Sequence, residues 1–209
     1  HERSSVIPQY RIFWYSASHM NVKGIAILIL SFSAFGRLSA NDTILAGSSD
    51  GLYRVDRQSA SKIWDRQDVR KILQAGNSWY FLTGSGIWQS GDLVSFEERD
   101  GGLPVKVVKT LDGGVKGFAR EAQELKDLEV HPTNPLVMVT ATKDAVYLTR
   151  DGGASWTSLG MNAATAGVKA VCVLDLPDKT GTMRLTVLMS HPIYGLSWKQ
   201  PDVSASWAD

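Results

Sequence analysis

Apolar positions fall in short runs separated by Gly, Pro, Asp and Ser, and four stretches share one layout: an apolar strand, a small turn, and a second strand with an aromatic residue. They are Thr43–Val55, Trp79–Ser90, Val137–Thr149 and Leu185–Trp198. In the first three, the aromatic residue (Tyr53, Trp88, Tyr147) follows a Gly-Leu, Gly-Ile or Ala-Val pair. In the fourth, Gly195-Leu196 precedes Trp198 at looser spacing. Short apolar and β-branched runs bounded by turn residues predict strands. A leading strand is expected ahead of three of these hairpins, at Val69–Leu73, Lys126–Val130 and Lys169–Val173. The last two run into the turns His131–Pro135 and Asp175–Gly181. No leading strand precedes the first hairpin. Repetition at this period predicts a repeat architecture of four short antiparallel strands per unit.

The segment after each hairpin also repeats. Ala145–Trp156 reads as a strand, the turn signal Asp151-Gly152-Gly153, and a return on Trp156. Thr149-x-Asp151-x-Gly153-x-Ser155-Trp156 resembles the Asp-box, or BNR repeat, at every specified position. Looser copies come after the second and fourth hairpins. Ser90 and Asp92 precede Phe96, one position early and without the glycine. Asp202 precedes Trp207 at the full spacing, with Gln200 and Ser204 in the other places. After the first hairpin only Asp56 and Trp64 remain, too far apart.

The resemblance implies an all-β fold, a β-propeller of four-stranded antiparallel blades, with about four blades present in 41–209 and the ring incomplete. It implies that Asp151, Gly153, Ser155 and Trp156, with Thr149, hold the outer hairpin of a blade, away from the channel where ligands bind. The same structural role extends to Ser90, Asp92, Phe96, Asp202 and Trp207. The pattern around Lys126–Gly160 is similar to the sortilin-like receptors and the photosystem II assembly-factor-like proteins, which bind proteins or peptides. Sialidases of this superfamily carry an Arg-Ile-Pro motif near the propeller start, and this chain has none. Tandem-propeller xyloglucan hydrolases require two aspartates across a cleft, which the sequence does not place.

The longest stretch outside this scheme is Arg99–Leu125. It predicts a strand at Val105–Leu111, a turn at Asp112-Gly113-Gly114, and two helical turns over Phe118–Leu125. Long insertions between blade strands usually lie on a face of the ring and can bind partners; a solvated loop with no role is the alternative.

The first forty residues differ in kind. Met20–Lys23 is short and weakly basic, Gly24–Phe35 is almost wholly apolar, and Gly36–Ala40 ends in small residues. This is the order of a secretory signal peptide, at 20–40, and the run is too short to span a bilayer comfortably. Residues 1–19 read as an upstream extension or a mis-called start, with translation beginning at Met20. The expected product is exported: periplasmic, cell-surface or extracellular.

The whole chain of 209 residues carries a net charge of +1, so no nucleic-acid footprint and no stable membrane span after cleavage are expected. Its one cysteine, Cys172, sits in an apolar run and reads as a small buried hydrophobe. His131 and His191 each precede proline in turns and do not make a metal site. No phosphate loop, catalytic triad, cofactor motif or identifiable catalytic constellation is present. The expected function is therefore a non-catalytic binding or scaffold module for a protein or glycan partner, held on one propeller face. A fragment of a propeller-type glycoside hydrolase is the alternative, and a non-functional remnant a third.

Overall fold

The computed structural model describes residues 44–56, 59–112, 115–160, 167–192, 195–203 and 206–208. The leader at 20–40, the extension at 1–19 and Ser204 lie outside the described residues. Sixteen strands and no helix occur among the described residues. The first sheet is β1 (Ile44–Gly47), β2 (Leu52–Val55) and β3 (Ala60–Trp64). The second is β4 (Val69–Ala75), β5 (Ser78–Thr83), β6 (Gly86–Ser90) and β7 (Glu97–Glu98). A separate hairpin comes next, β8 (Val105–Asp112) with β9 (Val115–Ala122). The third sheet is β10 (Asp127–Val130), β11 (Met138–Ala141), β12 (Val146–Thr149) and β13 (Thr157–Gly160). The fourth is β14 (Ala170–Pro177), β15 (Met183–His191) and β16 (Gly195–Lys199), with a bridge from Trp198 to Ala208 where a fourth strand would lie.

Every strand pairing is antiparallel between neighbours in sequence. The architecture is that of propeller blades, and among the described residues no leading strand pairs with β1. No closed ring is present among the described residues.

The sheets stack face to face, which explains why the central strands read as unbroken apolar runs. A strand covered on both sides has no solvent face to supply polar alternation. In Val137-Met138-Val139, the two valines join the cluster shared with the fourth sheet, and Met138 joins the cluster shared with the second. In β5, Tyr80 and Leu82 face the third sheet while Phe81 packs with Leu52 of the first. Phe81 is fully buried, worth about 2–3 kcal/mol of transfer free energy.

Two expectations are corrected. Phe118–Leu125 is not helical: Phe118 belongs to β9, paired with Lys109 of β8. The charged and small residues there suited a helix, but β9 pairs with β8 over its full length, from Asp112 with Val115 to Val105 with Ala122, and cross-strand pairing wins. Cys172 is exposed, not buried. It alternates with Val171 and Val173, which take the covered side of β14.

Candidate functional site

Antiparallel order divides the connections between two ends of the blades. One end carries the turns after each leading strand and the turns between the third and fourth strands. The other carries the central hairpin turns and the links from one blade to the next.

At the first end, the Thr149–Trp156 turn is closed by its own side chains. Thr149 Oγ1 donates to Asp151 Oδ1 at 2.7 Å and accepts from Gly153 N at 3.0 Å. Asp151 Oδ1 accepts from Ser155 N at 2.9 Å, and Oδ2 accepts from the Ser155 hydroxyl. These hydroxyls and the Ser155 amide lower the Asp151 carboxyl to about 2. Gly152 and Gly153 have φ of 70° and 86°, a region that L side chains avoid. Trp156 leaves the turn and reaches the second blade, where its Nε1 donates to Arg99 O at 2.8 Å.

The Ser90–Phe96 turn repeats the bonding in shorter form. Asp92 Oδ1 accepts from Ser90 Oγ, Val94 N and Ser95 N, and Ser90 Oγ accepts from Leu93 N. Its positive φ of 60° falls on Leu93. Phe96 also reaches back one blade and stacks on Trp64 at 4.2 Å. In the fourth blade Trp207 Nε1 donates to Leu159 O at 3.1 Å. The Asp202 carboxylate accepts from Arg150 at 2.6 Å, tying two neighbouring turns together. Gln200 instead donates to Thr186.

At the other end, three hairpin turns share a device. Ser48, Thr83 and Thr142 each accept through Oγ from an amide two residues on, and donate to the carbonyl three residues on. The middle turn, Thr83–Gly86, forms one wall of an open cleft of about 440 Å³ lined by Asp65, Arg66, Gln67, Asp68, Gly84 and Ser85.

Two carboxylates flank that turn. A methyl group added at Gly84 would lie 2.5 Å from Asp68 Oδ2, and one at Gly86 would lie 2.9 Å from Asp100 Oδ2. Asp68 accepts from Arg70 Nε at 2.8 Å, and Arg70 also reaches Glu124 at the root of the β8–β9 hairpin. Burial pushes the Asp100 carboxyl up, against the pull of the Arg66 charge. The Arg66 guanidinium lies 4.3 Å from the centre of the Trp88 ring. Arg66 Nε and Trp88 Nε1 are buried N–H groups without an acceptor among the described residues.

The leading strands meet in a third polar cluster. Lys71 of β4, its side chain 5% exposed, pairs with Asp127 at 2.7 Å and with Glu129, both on β10. Asp127 Oδ2 then accepts from Val171 N of β14 at 3.0 Å. One carboxylate so joins three blades. His131, also buried, accepts at Nδ1 from Thr133 N and Asn134 N, and its Nε2 lies 3.4 Å from Asp175. No cluster able to hold a metal ion occurs among the described residues.

Sequence pattern singles out the turn at the first end and misses the cleft. The signal that could have found it is the Asp65-Arg66-Gln67-Asp68 run between two strands, with two glycines in one turn further on.

The fold and these turns define the class: consecutive blades of a β-propeller. No family model matches the chain, and no curated protein matches it. Among solved structures, it is similar to an ancestral GH74 enzyme, at 14% identity and a TM-score of 0.51 over 81% of this chain and 23% of that one. It also aligns with the GH74 xyloglucanase of Xanthomonas campestris, at 16% identity and a TM-score of 0.46 over 79% of this chain and 28% of that one. The chain thus spans about a quarter of the length of these neighbours.

Proposed function

We propose that the chain is an exported propeller segment that binds a glycan without cleaving it, in the cleft between Asp65–Asp68 and the Thr83–Gly86 turn. The polar lining carries this reading. Carboxylates, a guanidinium, an amide and a hydroxyl are grouped in one open cleft with no large apolar side chain among the lining residues. Sugar hydroxyls both donate and accept, and a mixed lining of this sort meets them where an apolar protein anchor would find no pocket. The Thr149–Trp156 turn and its shorter relatives are Asp-box elements in this reading and take no part in binding.

Calorimetric titration of the full chain with neutral oligosaccharides, xyloglucan fragments included, tests it. Binding at millimolar strength or tighter is expected, about −4 kcal/mol or better. Arg66→Ala should weaken it at least about tenfold, while Lys179→Ala, at the opposite end, leaves it unchanged. No heat with any sugar, or equal loss in both variants, contradicts the proposal.

A second reading, a propeller glycoside hydrolase, draws on the two carboxylates that flank one turn. Asp100 is raised by burial, the direction expected of a general acid, and Asp68, ion-paired with Arg70, flanks the same turn. Release of reducing ends that stops with Asp100→Asn would favour hydrolysis over binding alone.

A further inference from the structure

The near-neutral charge of the whole chain hides a local segregation on the β8–β9 ribbon. These two strands pair with each other and with no other strand among the described residues. In an antiparallel pair, residues directly opposite share a face, and the faces alternate along each strand. The register therefore sorts the ribbon into two faces. One holds the rows Val107 with Arg120, Lys109 with Phe118, and Leu111 with Lys116. The charged positions of the other are Lys106 with Glu121, and Asp112 at the turn.

The first face thus carries three cations and no carboxylate, and each cation stands opposite a large apolar residue. The second face places a cation opposite a carboxylate and adds one further negative charge. Val105 begins the first face at the root of the ribbon and is 50% exposed, so the blades leave that face open where it starts. Just past β9, Glu124 is already paired with Arg70 and Lys126, so its charge is spent at the root. A two-stranded ribbon is marginal in water by itself and gains from a surface that covers one face.

We propose that the face of the ribbon bearing Lys109, Lys116 and Arg120 docks on an anionic lipid surface. Three cations complement a layer of headgroup phosphates, an attraction of roughly a hundredfold in affinity. Val107, Leu111 and Phe118, set between them by the register, suit the boundary between headgroups and acyl chains. An anionic glycan would meet the cations equally well but would give two aliphatic residues nothing apolar to cover them. A second copy presenting the same face would oppose like charges. The contact is peripheral, because a ribbon with unpaired edges lies on a bilayer and does not cross it. It rests on the register of one hairpin and is independent of the glycan reading of the cleft.

Flotation of the full chain with vesicles of about one-third phosphatidylglycerol in phosphatidylcholine, against phosphatidylcholine alone, tests it. Binding to the anionic vesicles should be at least about tenfold tighter, and salt at about 0.5 M should remove that preference. Lys109→Glu, Lys116→Glu and Arg120→Glu together should abolish it. Arg54→Glu, Lys143→Glu and Lys179→Glu together, at exposed positions elsewhere and with the same change in net charge, should leave it intact. Two milder variants read the same face: Arg120→Gln should weaken binding about fivefold, and Phe118→Ser, which alters no charge, should weaken it at least about threefold. Equal binding to both vesicle types overturns the proposal, as does a preference that every ribbon variant leaves unchanged, whichever segment then carries it. So does binding of soluble polygalacturonate through the same three cations with none to vesicles, which would assign the face to an anionic glycan.

Discussion

The turns Thr149–Trp156 and Ser90–Phe96 do the same work with different residues. Both use an aspartate to gather amides, both place a hydroxyl residue two positions before it, and both send an aromatic ring onto the preceding blade. They differ in how the chain reverses. The longer turn puts positive φ on Gly152 and Gly153, whereas the shorter one forces it on Leu93. They differ also at the ring. Trp156 adds a hydrogen bond to Arg99 O, while Phe96 relies on its ring contacts, chiefly the stack on Trp64. What is needed at this place is an aspartate and a ring; glycines and the indole N–H refine the turn without defining it.

The largest test of the comparison removes the rings. Trp156→Ala should cost about 3–5 kcal/mol in urea unfolding, because a buried indole and its hydrogen bond are lost together. Phe96→Ala, on a half-buried ring, should cost less. Equal costs would mean that the Arg99 bond adds nothing.

Next comes the backbone. Gly153→Ala should cost about 1–2 kcal/mol, since φ is 86° and the new methyl would meet Arg99 Cβ and O at 3.1 Å. Folding of this variant at wild-type stability would show that the turn relaxes freely.

The aspartates give a smaller, pH-dependent effect. Asp151 is lowered from 3.8 to about 2 in the folded chain. A carboxyl held low in the folded state contributes stability that is complete above pH of about 4 and is lost as pH falls through about 2. Asp151→Asn should flatten the thermal midpoint across that window; unchanged acid sensitivity would discount the carboxylate. Asp92 is lowered too, chiefly by the amides of Ser95 and Val94, so the acid loss has the same sign there.

The smallest change is at Leu93. Leu93→Asn, a residue that tolerates positive φ, should raise stability by less than about 1 kcal/mol. A clear loss would show that the leucine's packing against the first sheet outweighs its backbone strain.

The strand order was legible because each blade is a local unit. Apolar runs and turn residues at Val137–Thr149 specify pairings between neighbours in sequence, and β11 and β12 lie where that pattern puts them. The insertion was half legible. Val105–Leu111 reads as a strand, but Phe118–Leu125 has helix-forming residues, and its first part, Phe118–Ala122, becomes a strand only through its partner. The cleft was not legible, because no local motif records it: Asp68 reaches the turn where Val69 pairs with Thr83, and Asp100 where Arg99 N bonds to Ile87 O, so the two flank one turn only once the tertiary fold forms. The same holds for Lys71 with Asp127, and for Cys172, whose exposure depends on which side of β14 the third blade covers.

Rings at the blade ends lock each sheet to the one before. Indole N–H exchange in deuterated buffer, followed by two-dimensional NMR, tests that claim most directly. Trp156 and Trp207, bonded to Arg99 O and Leu159 O, should exchange only as fast as the fold opens, while the indole of the half-exposed Trp198 exchanges early and serves as the internal reference. Exchange at Trp156 and Trp207 as rapid as at Trp198 would contradict it.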